Sequence, residues 1–151
     1  MIFDELADIY FDIDRKYSIS QFEAQTRRYN RIEAKYRRKR ELNDQAYFLF
    51  MFTRLEDRIK ELSIELIEEK YNTLTNWNNR RTWEILYPKR NKGIYFLDRV
   101  GLLTQIGQTD YNLIRNYYAQ RNSIAHGGSF TVAINITTVV ADMQRLYYDL
   151  K

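Results

Sequence analysis

Arg121-Asn122-Ser123-Ile124-Ala125-His126, followed at once by Gly127 and Gly128, is the stretch of this 151-residue chain best equipped for chemistry. His126 is the only histidine. Imidazole is the side chain whose ordinary pKa, about 6.5, lies near neutrality, so it can both take and give a proton. Arg121 adds a permanent cation close by, able to grip oxyanions. A proton-transfer group beside a fixed cation is the minimum kit for work on a phosphodiester.

A helix must present these residues. From about Asp110 to Ala125 the pattern is helical, with Gln108-Thr109-Asp110 capping its start. Gly127-Gly128 stops it, glycine supplying the left-handed cap position. Tyr118, Asn122 and His126 are spaced four and four and form one polar ladder. Arg121 is rotated by about 100° from Asn122, while Leu113, Ile114, Tyr117 and Ile124 face the core. Arg121 and His126 therefore flank a small concavity, or meet if the last turn loosens at the glycines. The same residues also suit a plain helix stop, because Arg and His near a helix C-terminus complement its dipole.

The remaining elements are helical nearly throughout. Phe3 to Lys16 reads as a first helix, with Leu6, Ile9, Tyr10 and Ile13 on one face. Ser20 and Glu23 match a capping box that opens a second helix running to about Arg40. Asn43 and Asp44 look like a fresh cap, although a continuous helix through them also fits. From Asp44 to about Lys70 there is no glycine or proline, and Phe48, Phe52, Leu55, Ile59, Leu62 and Leu66 form one apolar stripe. Tyr47 to Phe52 is apolar all round, which predicts burial on every side, in the core or against another subunit. Asn76-Trp77-Asn78-Asn79 caps a short helix through Tyr87, ended by Pro88. A basic loop follows from Lys89 to Gly93, then a short helix from Ile94 to about Leu103. Phe130 to Ile134 reads as a short extended piece. Asn135 or Thr137 starts a final helix with Val139, Val140, Met143, Leu146 and Tyr147 inward. The expected fold is all-α: one domain over 1–151, of about five to seven helices, with the long third helix and the motif helix central.

Composition narrows the function classes. There is no cysteine, so disulfides, thiolate nucleophiles and Cys-ligated zinc are excluded. With one histidine per chain, a protein-only zinc or iron site is not expected, and neither is any other cofactor. The chain begins Met1-Ile2-Phe3-Asp4-Glu5, with acids where a signal peptide needs bases, and no apolar run reaches spanning length. The expected address is the cytoplasm, with no membrane partner. Net charge is +4, which permits a nucleic-acid partner without requiring one.

Basic residues crowd two places. Arg27, Arg28, Arg31, Lys35, Arg37, Arg38, Lys39 and Arg40 share one segment, with Tyr29 and Tyr36 interleaved. Arg80, Arg81, Lys89, Arg90 and Lys92 form a second cluster near Trp77 and Trp83. Each suits either an electrostatic track for RNA or a solvated face. Arg27, Arg28, Arg31, Lys35, Arg38, Arg54 and Arg58 are the candidate RNA contacts. Arg54 and Arg58 lie on the flank of the third helix, where pairing with Glu61 or Glu65 competes.

Arg121-Asn122, three residues, then His126 resembles the signature of the HEPN superfamily: an arginine, a polar residue, then a histidine four to six intervening positions after the arginine. The string through Gly127 resembles the RNase-toxin-like branches of that family, as does Asn43-Asp44-Gln45-Ala46-Tyr47-Phe48-Leu49-Phe50-Met51-Phe52 leading into Leu55-Glu56. The resemblance implies a helical bundle of the HEPN type and a metal-independent endoribonuclease working as a homodimer. The two motifs would face each other in one composite site. Arg121, Asn122 and His126 would be catalytic, with Tyr118 and Ser123 supporting them. RNA would be the substrate, and an antitoxin or a larger defence complex a compatible partner. A catalytically inactive HEPN-like module that binds RNA or nucleotide as a dimer is the alternative. A third is a plain helical interaction protein. Relatives controlled by a paired nucleotidyltransferase carry a tyrosine two positions after the histidine; here that position is Gly128.

Overall fold

The computed structural model describes residues 2–151 and is all-α. Six helices follow one another: α1 (Ile2–Thr26), α2 (Asn30–Thr73), α3 (Trp77–Leu86), α4 (Phe96–Leu103), α5 (Thr109–Ala125) and α6 (Ile136–Asp149), with a 3-10 turn at Tyr87–Lys89. No strand occurs among the described residues, and Phe130 to Ile134 pairs with none. No helix among them is long and apolar enough to cross a membrane. The chain divides into two compact units. One holds Met1–Phe52 and Ala119–Gln144, the other Thr53–Tyr118 and Arg145–Lys151.

The first unit begins with an antiparallel helical hairpin, and its turn is not where the capping box predicts. Ser18 and Ser20 lie inside α1, because neither serine nor glutamate breaks a helix unless the chain turns there. The break comes at Arg28, which adopts φ 57°. Tyr29 N–H donates to Ala24 O at 2.8 Å and Arg28 N–H to Gln25 O at 3.1 Å, the two bonds of a Schellman cap with arginine in the position glycine usually fills. Past the turn, α2 runs back along α1. Gln21 bonds Glu33, Tyr17 packs on Tyr36, Arg40 bonds Asp14, and Tyr10 bonds Asp44.

The expected second helix is divided: its start belongs to α1, and from Asn30 its remainder runs unbroken into the expected third helix as α2. Asn43 and Asp44 do not cap it. Asn43 is buried and donates to Tyr10 O at 3.4 Å, while Asp44 accepts from the Tyr10 hydroxyl at 2.7 Å. Polar residues in mid-helix are satisfied here by α1 rather than by their own backbone. The apolar stripe of α2 is buried from Phe48 to Leu62, with Phe48, Phe52, Leu55 and Ile59 fully enclosed, but Leu66 is half-buried and Ile67 takes the enclosed place. Each such side chain stabilises the fold by about 1.5–3 kcal/mol. The all-round apolar run is not covered on every side within the chain, since Phe50 is 55% exposed beside Tyr47.

The second unit holds Leu55, Ile59, Leu62, Ile67, Val100, Ile114, Tyr117, Leu146 and Leu150 as its buried apolar set. Asn76 caps α3 as its sequence suggests, its side chain accepting from Asn78 N–H at 2.9 Å. In α6, Asn135 caps the start by accepting from Thr138 N–H, and Val139, Met143 and Leu146 are buried.

Candidate active site

The motif occupies the end of α5. His126 is the cap residue: its N–H still donates to Asn122 O at 3.1 Å, so the last turn stays closed. Gly127 then takes φ 82°. Its N–H donates to Ile124 O and that of Gly128 to Ser123 O, both at 3.0 Å, which completes a second Schellman cap. Gly128 has a separate reason to be glycine. A Cβ there would lie 2.8 Å from Ser123 O and 3.1 Å from Ser123 Oγ, closer than atoms tolerate. Any side chain at this position, tyrosine included, requires the backbone to move.

The chain after the cap folds back onto α5 and is pinned there. Ser123 Oγ donates to Ser129 O at 2.7 Å. Gln120, 5% exposed, holds Thr131 twice: its Nε2 donates to Thr131 Oγ1 at 2.7 Å, and its Oε1 accepts from Thr131 N–H at 2.8 Å. Phe130 sets its ring edge-on to Phe48 of α2 at 5.3 Å. Thus His126 sits at the apex of a reverse turn tied down on both sides, with its imidazole exposed to solvent. Ser123 thus shapes this turn. Gln120, Ser129, Phe130 and Thr131 escape sequence reasoning, because a clamp between residues eleven apart has no periodic signature.

Arg121 and Asn122 are joined directly. Arg121 Nη1 donates to Asn122 Oδ1 at 3.2 Å, so Asn122 helps aim the guanidinium. Both are half-buried. The Asn122 amide thus restrains one end of the guanidinium. Tyr118 keeps the four-residue register but belongs to the second unit, where its ring packs on Phe96 at 4.6 Å.

Of the candidate RNA contacts, Arg27, Arg28, Arg31 and Lys35 are exposed and have no side-chain partner among the described residues. Arg38 bridges Glu41 at 3.0 Å. Arg31, Lys35 and Arg38 recur at helical spacing on α2, and Arg38 opens onto a cleft of about 330 Å³ that it shares with Asp44, Gln45, Ser129 and Phe130. The basic stripe therefore ends at the pinned segment that follows His126. The rest of that cluster is occupied. Arg40 pairs with Asp14, which holds its charge more firmly still, and Lys39 lies over the Tyr17 and Tyr36 rings. Arg54 and Arg58 belong to the second unit. Arg58 lies 5.8 Å over the Tyr147 ring and 3.9 Å from Glu61. In the second basic cluster, Arg80 stacks on Tyr71 and Arg90 on Tyr87, and Arg90 also bonds Glu68 at 2.7 Å. Those two arginines are structural.

Among the described residues, no three His, Cys, Asp or Glu side chains converge in a way that could hold a metal ion. Comparison with family models, with curated proteins and with solved structures finds no match to this chain.

Proposed function

We propose that this chain is a metal-independent endoribonuclease of the HEPN type, acting as a homodimer in the cytoplasm as a toxin or antiphage effector. The observation that carries the reading is the end of α5: an exposed lone histidine caps the helix on which Arg121 is steadied by Asn122. Arg121 would hold the non-bridging oxygens of a phosphodiester and stabilise the charge that develops there. His126 of one chain would take the proton of the neighbouring 2′-hydroxyl as its oxygen attacks phosphorus. The bond from phosphorus to the 5′-oxygen breaks, and the second histidine returns a proton to that oxygen. The products are a 2′,3′-cyclic phosphate and a 5′-hydroxyl. One histidine per chain cannot serve as both acid and base at once, which is the argument for a dimer. The uncovered side of the apolar run at Phe50 is compatible with one. Arg31, Lys35 and Arg38 would track the RNA backbone toward the cleft at Ser129 and Phe130. Without a side chain at position 128, restraint by tyrosine modification there is ruled out for any antitoxin or larger complex.

Purified protein incubated with RNA in EDTA tests this, beside a His126→Ala variant and a DNA control. Cleavage of RNA alone, lost in the variant, is the expected result. A requirement for metal, attack on DNA, or survival of the substitution would sink it. A module that binds RNA or nucleotide without cutting is the second reading, favoured by the unpaired cations Arg27, Arg28, Arg31 and Lys35. Saturable, salt-sensitive binding with no cleavage identifies it.

A further inference from the structure

Arg99 of α4 is 5% exposed and carries a guanidinium that does not deprotonate at ordinary pH. Its Nη1 donates to Ser63 Oγ at 2.8 Å and its Nη2 to Arg90 O at 2.7 Å. Both acceptors are neutral. Burial pushes the pKa of Arg99 down, and no neighbouring carboxylate opposes it. An ionised group removed from water without a counter-charge is costly. The two bonds explain how Arg99 ties the loop after the 3-10 turn to α2, but a neutral amide donor serves that purpose as well. They do not explain the charge, and they leave three of the guanidinium's five N–H donors without an acceptor among the described residues.

Arg99 lines a cleft of about 360 Å³ within the second unit, together with Lys60, Asn91, Lys92 and Phe96. Lys60 and Lys92 are exposed and have no salt-bridge partner among the described residues. Three cations thus line one cleft, and none of them has a carboxylate partner among the described residues. Asp57 lines the same cleft and offers an acceptor to a ligand that brings hydroxyl or amino donors. A volume of this size lies in the range of small-molecule sites. We infer that this cleft binds a small phosphate ester, its oxyanion on Arg99, Lys60 and Lys92 and its hydroxyl or amino groups toward Asp57. The assignment is independent of the ribonuclease reading, since Arg121 and His126 belong to the other unit.

Calorimetric titration of the full chain at fixed ionic strength tests it, with ribose 5-phosphate, inorganic phosphate and chloride as probes. Saturable binding of ribose 5-phosphate at one per chain is expected, tighter than inorganic phosphate, with no response to chloride. The double variant Lys60→Ala/Lys92→Ala should bind at least about tenfold more weakly, the effect of losing charge-assisted bonds. Arg99→Gln should abolish binding; if it fails to fold, the lysine pair decides. Absence of saturable binding, equal affinity for the ester and inorganic phosphate, unchanged affinity in the lysine variant, or loss confined to Arg121→Ala would each overturn the proposal.

Discussion

At the scale of single residues, the motif separates side chains that the turn needs from side chains it does not. His126 contributes to the fold only through its backbone N–H, which any residue but proline supplies, and its imidazole has no partner among the described residues. His126→Ala should therefore shift stability by less than about 0.5 kcal/mol. On the proposed mechanism it should lower RNA cleavage by about 10²–10⁴-fold. Thermal melts beside cleavage rates check both halves, and a destabilised variant would mean that the histidine is structural. Gly128 is the converse case. A methyl group there meets the carbonyl oxygen of Ser123, which already accepts the Gly128 N–H, so backbone must move. Gly128→Ala should cost about 1–3 kcal/mol in a denaturant titration. Position 128 is thus closed to a regulatory tyrosine by the shape of the cap as well as by its identity.

At the scale of elements, the α1–α2 hairpin rests on polar contacts set deep between helices. Asp44 is half-buried, and burial is the main cause that raises its carboxyl above the ordinary value of 3.8; the Tyr10 hydroxyl that donates to it works in the opposite direction. The folded chain therefore holds this proton more tightly than the unfolded chain. Its stabilising effect is complete below the ordinary value and is lost as pH rises through the higher folded value. Asp44→Asn keeps an acceptor for Tyr10 and removes the titration. Its stability relative to the parent should rise as pH climbs from about 3 to 7, read from urea midpoints at each pH. A flat difference would show that Asp44 titrates normally. These contacts also mark the limit of sequence reading. Asn76, Asn135 and Gly127 announce their helix ends because a cap is local chemistry between near neighbours. The apolar stripe of α2 was equally plain, since its period is that of the helix. The hairpin turn was not: Arg28 takes a glycine conformation because α1 and α2 pair along their length, and pairing between distant residues leaves no local sign. Asn43 and Asp44 resembled a cap for the same reason, their partner Tyr10 being more than thirty residues away. In the candidate site, the placement of Arg121, Asn122 and His126 at the end of a helix was legible from type and spacing, whereas the Gln120–Thr131 clamp was not.

At the scale of the whole molecule, the proposed mechanism makes the lone histidine a question of stoichiometry. Closed two-fold assembly places the same patch of each chain against its counterpart, so any site on the axis receives one His126 from each. If one is the base and the other the acid, a dimer with a single intact histidine is inactive, and the variant chain poisons its partner. Wild-type and His126→Ala chains that exchange freely in equal amounts leave about one quarter of the dimers wholly wild-type, so activity should fall to about one quarter. With a threefold excess of variant it should fall to about one sixteenth. A chain that works alone predicts one half and one quarter for the same mixtures. Cleavage rates measured against mixing ratio, after co-refolding to ensure exchange, distinguish a quadratic decline from a linear one. A linear decline would remove the composite site while leaving the chemistry of Arg121 and His126 within one chain to be judged by the EDTA experiment, and the quadratic one requires that the two motifs meet.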